Sequence, residues 1–251
     1  MRPANAFLRS LSPESFDRLN RNLAPVELAL RSYIHTDEDV VEWVYFPETC
    51  LLSMISTGSE GQSVETSMVG NEGAAGLLEV CSSQRSHVDC LVQVDGRAWR
   101  APAAACRSMA VADPDFVQCV LRFAELQLAE ARRSAYCQAV HTAPQRLARW
   151  LTESLDRTGG RNPLPITQEF LAAMLGVQRT SVSNYASQLQ REEIIRYKRG
   201  AVEITDPERL QDTACECRSY TVRQRSALGF QALRLVADND EDVPAAGRSG
   251  G

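Results

Sequence analysis

One segment near the middle of the chain most strongly constrains its fold. From residue 115 to about residue 139 the sequence contains neither glycine nor proline, and the preceding Asp113 and Pro114 are typical of a helix N-cap and a first helical residue. The segment therefore predicts one helix of about seven turns. The residues before and after it have different patterns, so we expect the 251-residue chain to form two domains that this helix connects.

A narrow stripe of small and aliphatic residues runs along the predicted helix, because these residues recur at intervals of three and four. Its members are Val117, Val120, Leu121, Ala124, Leu128, Ala131 and Ala135. A stripe this long and narrow favours packing against a second helix, and we interpret it as the seam of a homodimer formed through residues 114–139. The alternative is that the helix packs on the domain that precedes it.

The part of the chain before the long helix has the pattern of a small β domain. Short stretches rich in valine, isoleucine, threonine and aromatic residues run through residues 31–109 and are separated by turn residues. They predict an antiparallel barrel or roll of about eight strands. One amphipathic helix is predicted in front of the strands, over residues 12–23, with Ser12 as its N-cap and Pro13 as its first residue.

The part of the chain after the long helix begins with a helix capped by Thr142. Residues 167–192 then have the pattern of two short helices joined by a tight turn: Thr167 caps the first, Gly176 provides the turn, and the second begins near Arg179. The predicted inner face of the second helix consists of Val182, Tyr185, Ala186 and Leu189. This is the helix-turn-helix arrangement, in which the second helix lies in the major groove of DNA.

A predicted hairpin completes this domain as a winged helix. Residues 194–197 and 201–204 have the pattern of two short strands, and the turn between them contains Lys198 and Arg199. The second helix itself presents polar side chains outward, and none of them is acidic, unlike an ordinary solvated face. They are Arg179, Thr180, Ser181, Ser183, Asn184 and Gln188. Arginine and asparagine can bind guanine and adenine edges, and serine and threonine can bind phosphates.

The net charge of −5 argues against a nucleic-acid partner only while the charges are summed over the whole chain. Residues 1–143 carry 12 basic and 18 acidic side chains, whereas residues 144–213 carry 10 and 9. The acidity therefore belongs to the β domain. The predicted DNA-binding domain has a small basic excess, concentrated on its second helix and its wing.

These segments resemble the Crp/Fnr family of transcription regulators over residues 10–217. The matching segments are CQAVHTAPQRLARWL at 137–151, LPITQEFLAAMLGVQRTSVS at 164–183, IIRYKRGAVEITD at 194–206 and ACEC at 214–217. The resemblance implies an α+β fold: an N-terminal antiparallel β-roll of the cyclic-nucleotide-binding or cupin-like type, a long dimerisation helix and a C-terminal winged helix-turn-helix. The implied domains are a sensor at 1–112, a dimerisation helix and hinge at 113–141, a DNA-binding domain at 142–217 and an extension at 218–251 that is disordered from about residue 238.

The resemblance also implies roles for the polar residues. Arg179, Thr180 and Asn184 correspond to the positions that contact bases. The positions that contact phosphates are Gln168, Ser181, Ser183, Gln188, Lys198 and Arg199. The best-known members of the family have glutamate at the position of Thr180 and arginine at that of Asn184, so their operator sequence cannot be transferred to this chain.

An effector pocket is implied near the turn at residues 70–76. In cyclic-nucleotide-binding relatives, a glycine–glutamate turn holds the ribose and an Arg-Ser or Arg-Thr pair holds the phosphate. The candidate pocket residues here are Glu72, Gly73, Ala74, Arg85 and Ser86. An alignment that places Arg85 at the phosphate puts Ala74 where the ribose-binding glutamate should be. We therefore predict a different ligand or none, with cyclic nucleotide as the alternative.

The eight cysteines are scattered along the chain, which predicts small buried residues rather than a disulfide framework. Cys215 and Cys217 are the one closely spaced pair. Two thiolates cannot complete a tetrahedral metal site, so we interpret the pair as structural and predict no metal, with a redox or metal role as the alternative. The first 49 residues lack cysteine, which argues against an iron–sulfur cluster of the Fnr type. For haem, the candidate axial ligands are His35, His87 and His141.

The function predicted from the sequence is that of a homodimeric, sequence-specific transcription regulator that binds double-stranded promoter DNA. A signal at the β-roll would act through a hinge at residues 139–142, with or without a ligand, and RNA polymerase is a candidate partner. A cupin-like enzyme and an adaptor that does not bind DNA are the alternatives. We predict no enzymatic role, because the sequence has no Gly-x-Ser-x-Gly, phosphate-binding glycine loop, His-Glu-x-x-His or clustered histidine motif.

The location expected from the sequence is the cytoplasm. The N-terminal segment has no apolar region typical of a secretory signal, and no apolar run reaches the roughly 18 residues that a membrane span needs.

Overall fold

The computed structural model describes residues 2–198 and 200–233 of the chain. The helices are α1 (Ala6–Ser10), α2 (Pro13–Asn20), α3 (Leu77–Val80), α4 (Ala103–Ala112), α5 (Pro114–Val140), α6 (Ala143–Arg157), α7 (Gln168–Leu175), α8 (Arg179–Arg191), α9 (Pro207–Thr213) and α10 (Cys217–Leu228). The strands are β1 (Ala24–Leu28), β2 (Tyr33–His35), β3 (Trp43–Pro47), β4 (Leu51–Thr57), β5 (Ser63–Val69), β6 (Asp89–Val94), β7 (Gly96–Pro102), β8 (Ile195–Lys198) and β9 (Ala201–Ile204). The predicted fold class is confirmed: an antiparallel β-roll, one long helix and a winged helix-turn-helix follow each other along the chain.

The β-roll consists of two antiparallel sheets, with strand orders β1-β7-β3 and β2-β6-β4-β5. The prediction of about eight strands within residues 31–109 was wrong in number and bounds. Seven strands form the roll, β1 lies before residue 31, and the last strand ends at Pro102. The alanine-rich segment that follows forms α4 instead, because alanine has the highest helix propensity.

The N-terminal segment packs on the roll through two helices, whereas the sequence predicted only the second. Ser12 caps α2 as predicted, and its hydroxyl oxygen accepts a hydrogen bond from the Ser15 amide at 3.3 Å. The helix α1 was missed because it has only five residues. Its cap is the buried Asn5, whose side-chain oxygen accepts a hydrogen bond from the Leu8 amide at 3.1 Å.

An aromatic cluster joins α1 and the segment after α10 to the roll and the long helix. Phe7 of α1 contacts Phe46 of β3, Phe116 and Phe123 of α5, and Phe230, which follows α10. The ring centroids lie 5.7–6.2 Å apart, within the range of favourable aromatic pairs. The cluster fixes one face of α5 against the roll.

The long helix α5 begins as predicted, since the Asp113 side chain accepts a hydrogen bond from the Phe116 amide at 3.2 Å. Its buried face is formed by Phe116, Cys119, Val120, Phe123, Leu126, Glu130 and Cys137. Of the stripe predicted from the sequence, only Val120 belongs to this face. Leu121 and Leu128 remain 56% and 51% exposed, so α5 packs on its own roll mainly through residues outside the predicted stripe.

The helix-turn-helix forms from the predicted signals. The Thr142 amide and hydroxyl both donate to the Gln145 side-chain oxygen, at 3.1 and 2.9 Å, and hold the start of α6. The Thr167 hydroxyl oxygen caps α7 by accepting from the Phe170 amide at 3.2 Å. Gly176 adopts the left-handed conformation, with φ of 61°, that turns the chain from α7 into α8.

The wing is a two-stranded hairpin of β8 and β9. Its first strand starts one residue later than predicted, at Ile195, because the Ile194 amide donates to the Leu189 carbonyl at 2.9 Å and closes the end of α8. The strand also ends one residue later, so Lys198 pairs with Ala201 and does not belong to the turn. Part of the C-terminal extension forms α10, which packs along α5. The predicted disorder from about residue 238 lies outside the described residues. Within the described part of the chain, no helix is long and apolar enough to cross a membrane.

Candidate nucleic-acid interface

The orientation of α8 is set by its apolar residues. Val182, Ala186 and Leu189 are buried and pack in a hydrophobic cluster with residues of α6 and α7. Tyr185 is half-buried beside them. Because these residues occupy one side of the helix, its polar side chains necessarily lie on the other.

The three residues predicted to contact bases are all exposed. Arg179 and Thr180 are the first two residues of α8, and Asn184 follows one turn later. The helix N-cap, Gln178, makes no side-chain hydrogen bond to the helix, so the first amides of α8 are free of a side-chain cap. An amide-lined helix N-terminus favours contact with a negatively charged group such as a phosphate.

The residues predicted to contact phosphates have mixed environments. The Ser183 hydroxyl donates to the Gln168 side-chain oxygen at 2.7 Å, which links α8 to α7. Gln188 is exposed, and its amide nitrogen donates to the Glu192 carboxylate at 3.0 Å. Ser181 is half-buried, and Lys198 is exposed at the tip of the wing. Arg199 lies outside the described residues.

The wing is held by hydrogen bonds to the segment between α6 and α7. The Tyr197 hydroxyl donates to the Ile166 carbonyl at 2.6 Å, and burial raises the pKa of Tyr197 to about 12, so this donor keeps its proton at neutral pH. The Asn162 side chain donates to the Ile204 carbonyl and accepts from the Ile204 amide, at 2.8 and 2.9 Å. Lys198 is therefore presented from a fixed hairpin on the same domain as α8.

The DNA-binding domain packs directly against the roll. Met174 and Phe170 of α7 contact Ile55 of β4 and Leu91 of β6. The Trp150 indole of α6 donates a hydrogen bond to the Glu65 carboxylate of β5 at 2.8 Å. The first helix of the helix-turn-helix is thus in contact with the sheet of the predicted sensor.

A buried charge network joins four parts of the molecule at this boundary. Arg157 of α6 pairs with Glu72, in the turn after β5, at 2.5 Å and with Glu130 of α5 at 2.9 Å. Arg225 of α10 pairs with Glu130 at 2.8 Å, and Glu153 lies 3.7 Å from Arg157. All five side chains are almost completely buried.

The opposite charges in this network keep each other ionised although they are buried. Burial opposes ionisation of Glu153, but Arg149, Arg157 and Arg225 outweigh it and lower the pKa of Glu153 to about 2. Burial likewise opposes the charge of Arg157, and Glu130, Glu72 and Glu153 raise its pKa. No local pattern in the sequence indicates this network, because its members are spread over residues 72–225 and resemble ordinary charged residues.

The candidate effector residues are not brought together into one pocket. The Glu72 carboxylate accepts from Arg157 and from the Gly70 amide, and Gly73 is packed against Phe123. Arg85 is exposed and donates to the Glu38 carbonyl at 2.7 Å. The Ser86 hydroxyl is buried and donates to the Val88 carbonyl.

A cleft of about 230 Å³ does lie between the roll and α5, but among the candidate residues only Ala74 lines it. Glu79 is the only charged side chain among the described residues that line this cleft. A phosphate in the cleft would therefore face a carboxylate and no basic partner.

Comparison with known proteins identifies the DNA-binding part and the fold. The family model for the Crp-like helix-turn-helix domain matches residues 145–213. A search of the curated proteins finds no match to this sequence.

Among solved structures, FixK2 from Bradyrhizobium japonicum is 16% identical, with a TM-score of 0.65 over 77% of this chain and 98% of that chain. A CRP-family transcriptional regulator from Thermus thermophilus is 17% identical, with a TM-score of 0.63 over 75% and 96% of the two chains. A CRP/FNR-family regulator from the same organism is 22% identical, with a TM-score of 0.60 over 76% and 98%. Residues 145–213 therefore match the Crp-like helix-turn-helix domain, and the chain has the fold seen in the structures of Crp/Fnr-family transcription regulators.

Proposed function

We propose that this protein is a homodimeric transcription regulator that recognises a specific sequence in double-stranded DNA. The observation that carries the proposal is the outward face of α8. The domain matches the Crp-like helix-turn-helix model, and α8 is the second helix of that motif. Arg179, Thr180 and Asn184 of α8 are exposed to solvent. These side chains match what base edges require, because arginine can bond guanine and asparagine can bond adenine through two hydrogen bonds each.

The exposed stripe of α5 supports the homodimer. Val117, Leu121, Ala124, Leu128, Ala131 and Ala135 follow a strict alternation of four and three residues. They span about 27 Å of helix. Leu121 and Leu128 of this stripe are more than half exposed. A second copy of the same helix would cover this stripe through a two-fold symmetric seam.

A two-fold dimer accounts for recognition of a symmetric DNA site. Each copy would place one α8 in the major groove, and the half-sites would be about one helical turn of DNA apart. Lys198 on the wing would contact the phosphate backbone beside each half-site, and Gln168 would do so from the start of α7. Such contacts fix the position of the protein on DNA without reading its sequence.

A signal at the roll has two short routes to the DNA-binding domain. Only His141 and Thr142 separate α5 from α6, so a small change there would redirect the whole domain. The second route is the contact of α7 with Ile55 and Leu91. Any ligand would have to bind the two arrangements with different affinities in order to shift their populations.

The cleft between the roll and α5 favours a ligand that is not anionic, or regulation without a ligand. Its lining is mostly small and apolar, and its charged member is Glu79. Titration calorimetry with cyclic AMP and cyclic GMP tests this part of the proposal. We expect no heat of binding at micromolar nucleotide, and micromolar affinity for either nucleotide would contradict it.

The salt dependence of DNA binding tests the proposal as a whole. In mobility-shift or anisotropy titrations of the full chain with promoter duplexes, we expect the affinity to fall steeply as salt rises, because lysine and arginine contacts release counterions. Lys198→Gln removes one phosphate contact from each copy. It should therefore reduce the slope of log affinity against log salt concentration by about one per copy. An adaptor that does not bind DNA would show neither binding nor a slope.

A further inference from the structure

Four potential metal ligands from distant parts of the sequence meet at the end of α5. Cys137 lies in the last turn of α5 and His141 is its C-cap residue, while Cys215 and Cys217 lie at the start of α10. The Cys137 and Cys215 sulfurs are 3.5 Å apart, and the Cys217 sulfur is 3.6 Å from the Nδ1 atom of His141. All four donor atoms lie within 4.8 Å of one another.

We propose that Cys137, His141, Cys215 and Cys217 bind one zinc ion. Zinc in structural sites is tetrahedral, with Cys₃His among its usual ligand sets. Zinc–sulfur bonds of about 2.3 Å and zinc–nitrogen bonds of about 2.0–2.1 Å place the donors of a tetrahedron roughly 3.5–3.8 Å apart. The separations of 3.5 and 3.6 Å agree with this spacing, and donor pairs as far as 4.8 Å apart would move about 1 Å closer around the ion. This site is separate from the DNA interface and does not depend on the proposed function.

The surroundings of His141 match those of a zinc-bound histidine. Its Nδ1 atom faces the Cys217 sulfur, and its Nε2 atom lies 3.0 Å from the Glu216 carboxylate. A carboxylate that accepts from the outer ring nitrogen fixes the ring orientation and makes the inner nitrogen a better ligand. Glu216, between the two cysteines in the sequence, is therefore the positioning residue of the site.

The charge of the bound state is also accommodated. Three thiolates and one Zn²⁺ leave one negative charge in excess, and each cysteine gives up its thiol proton to solvent as its zinc–sulfur bond forms. The guanidinium group of Arg149 interacts electrostatically with all three cysteines, and that of Arg133 interacts with Cys217. Arg149 is nearly buried, so a negatively charged neighbour stabilises its own charge.

A disulfide explains these four residues less well. A sulfur–sulfur bond is about 2.05 Å long, whereas Cys137 and Cys215 are 3.5 Å apart. A disulfide would also leave Cys217 and the His141–Glu216 pair without a role. A larger iron–sulfur cluster needs its cysteines further apart than these, since inorganic sulfides lie between the irons.

The zinc ion would tie the junction between α5 and α6 to α10. Cys137 and His141 lie on either side of the last residues of α5, and the cysteines at the start of α10 lie beyond the winged helix in the sequence. Zinc binding therefore closes a loop around the whole DNA-binding domain. The direction in which α6 leaves α5 becomes fixed by the metal.

Metal analysis of the full chain tests this inference. The protein is purified with reductant and without chelator, and its zinc content is measured by mass spectrometry. We expect about one zinc ion per chain. Replacement of zinc by Co²⁺ should give intense visible d–d bands and a thiolate-to-cobalt charge-transfer band, which report a tetrahedral site with sulfur ligands.

Variants identify the ligands. Cys217→Ser and His141→Ala should lose stoichiometric zinc, whereas His141→Cys should retain it with a shifted cobalt spectrum. Glu216→Gln should weaken zinc affinity by about 10–100-fold. The matched control is Cys106→Ser, which removes a buried thiol from the core of the roll and should leave the zinc content unchanged.

Three results would overturn the inference. The first is a folded, reduced chain that contains no zinc and gives no cobalt bands. The second is a Cys137–Cys215 disulfide in protein purified with reductant. The third is equal zinc content in Cys217→Ser and Cys106→Ser.

Discussion

The outward face of α8 and the buried charge network around Arg157 are both built from polar side chains, yet they differ in every other respect. The α8 face consists of near neighbours in the sequence, is exposed, and has few partners within the chain. The network is assembled from α5, α6, α10 and the turn at Glu72, and is buried. Polar groups without internal partners are available to an external one, whereas buried charges must satisfy each other to permit folding. The first region should therefore determine binding and the second stability.

The largest expected effect is on the network. Replacing Arg157 by methionine keeps much of the side-chain volume but leaves Glu72 without its guanidinium and removes one partner from Glu130 and Glu153. We expect the free energy of unfolding to fall by about 3–5 kcal/mol, as for other buried ion pairs that lose one member. Urea unfolding followed by circular dichroism measures it.

The control for this change is Arg161→Met. Arg161 pairs with Asp95 at 3.0 Å, but both side chains are partly exposed, and an exposed ion pair contributes at most about 1 kcal/mol. If the Arg157 variant lost no more stability than the Arg161 variant, the distinction between the two regions would fail.

The next largest expected effect is on dimer formation, in a variant that should still fold. Leu128→Asp places a carboxylate in the proposed seam of both copies, and we expect the dimer dissociation constant to increase on the order of 100-fold, because two like charges would be desolvated in an apolar seam. Sedimentation equilibrium measures the dissociation constant. Val111→Asp is the control, since Val111 is 91% exposed but lies on α4, away from the stripe. A dimer of unchanged affinity in the Leu128 variant would exclude α5 as the seam.

The α8 face should show the opposite behaviour to the network. Arg179→Ala should weaken binding to the cognate operator by about 1–3 kcal/mol and relax specificity at one base pair, while the unfolding temperature stays unchanged. Arg191→Ala at the other end of α8 is the control, because it alters an exposed arginine on the same helix. A loss below about 1 kcal/mol in the Arg179 variant, or an equal loss in both, would show that Arg179 does not read bases.

The smallest effect is a pH dependence at the contact between the roll and α6. Burial raises the pKa of Glu65 to about 7 from 4.5, while hydrogen bonds from Ser53 and Trp150 partly oppose the shift. The folded state therefore holds this proton more tightly than the unfolded state. The contribution of Glu65 to stability is complete below pH 4.5 and is lost as the pH rises through about 7.

Between about pH 6 and 8 we expect this loss to be on the order of 1 kcal/mol in the wild type and absent in Glu65→Gln. Glu203→Gln is the control, because Glu203 lies in an exposed pair with Arg196. Urea midpoints measured across this pH range provide the test. An identical slope in the wild type and in Glu65→Gln would assign the pH dependence to another group.

The sequence predicted those parts of the fold that depend on neighbouring residues. Ser12, Asp113, Thr167 and Gly176 act at the ends of their own helices, so their roles could be recognised from local spacing. The polar face of α8 was predicted for the same reason. The stripe on α5 was identified by its period; Leu121 and Leu128 of this stripe are exposed, whereas Val120 is buried, and the partner of the stripe stays a prediction.

Contacts between distant segments could not be predicted in this way. Arg157 and Glu72 are 85 positions apart, and nothing in their neighbourhoods distinguishes them from surface residues. Cys137 and His141 lie 78 and 76 positions from the cysteines that they meet. The Cys-x-x-x-His spacing at residues 137–141 was the available sequence signal for the proposed metal site. Together with the Cys-x-Cys at 215–217 it provides four potential ligands, whereas the two cysteines alone provide only two.

Selection of DNA sites from a random duplex pool tests the central claim most directly. The full chain is incubated with the pool, bound duplexes are recovered at moderate salt, and the enriched sequences are determined. A dimer that reads DNA through α8 predicts a two-fold symmetric motif with half-sites about 10–11 base pairs apart, and Arg179→Ala should lose preference at one position in each half. Recovery of no enriched motif, or of an asymmetric single site, would contradict recognition by a symmetric pair of α8 helices.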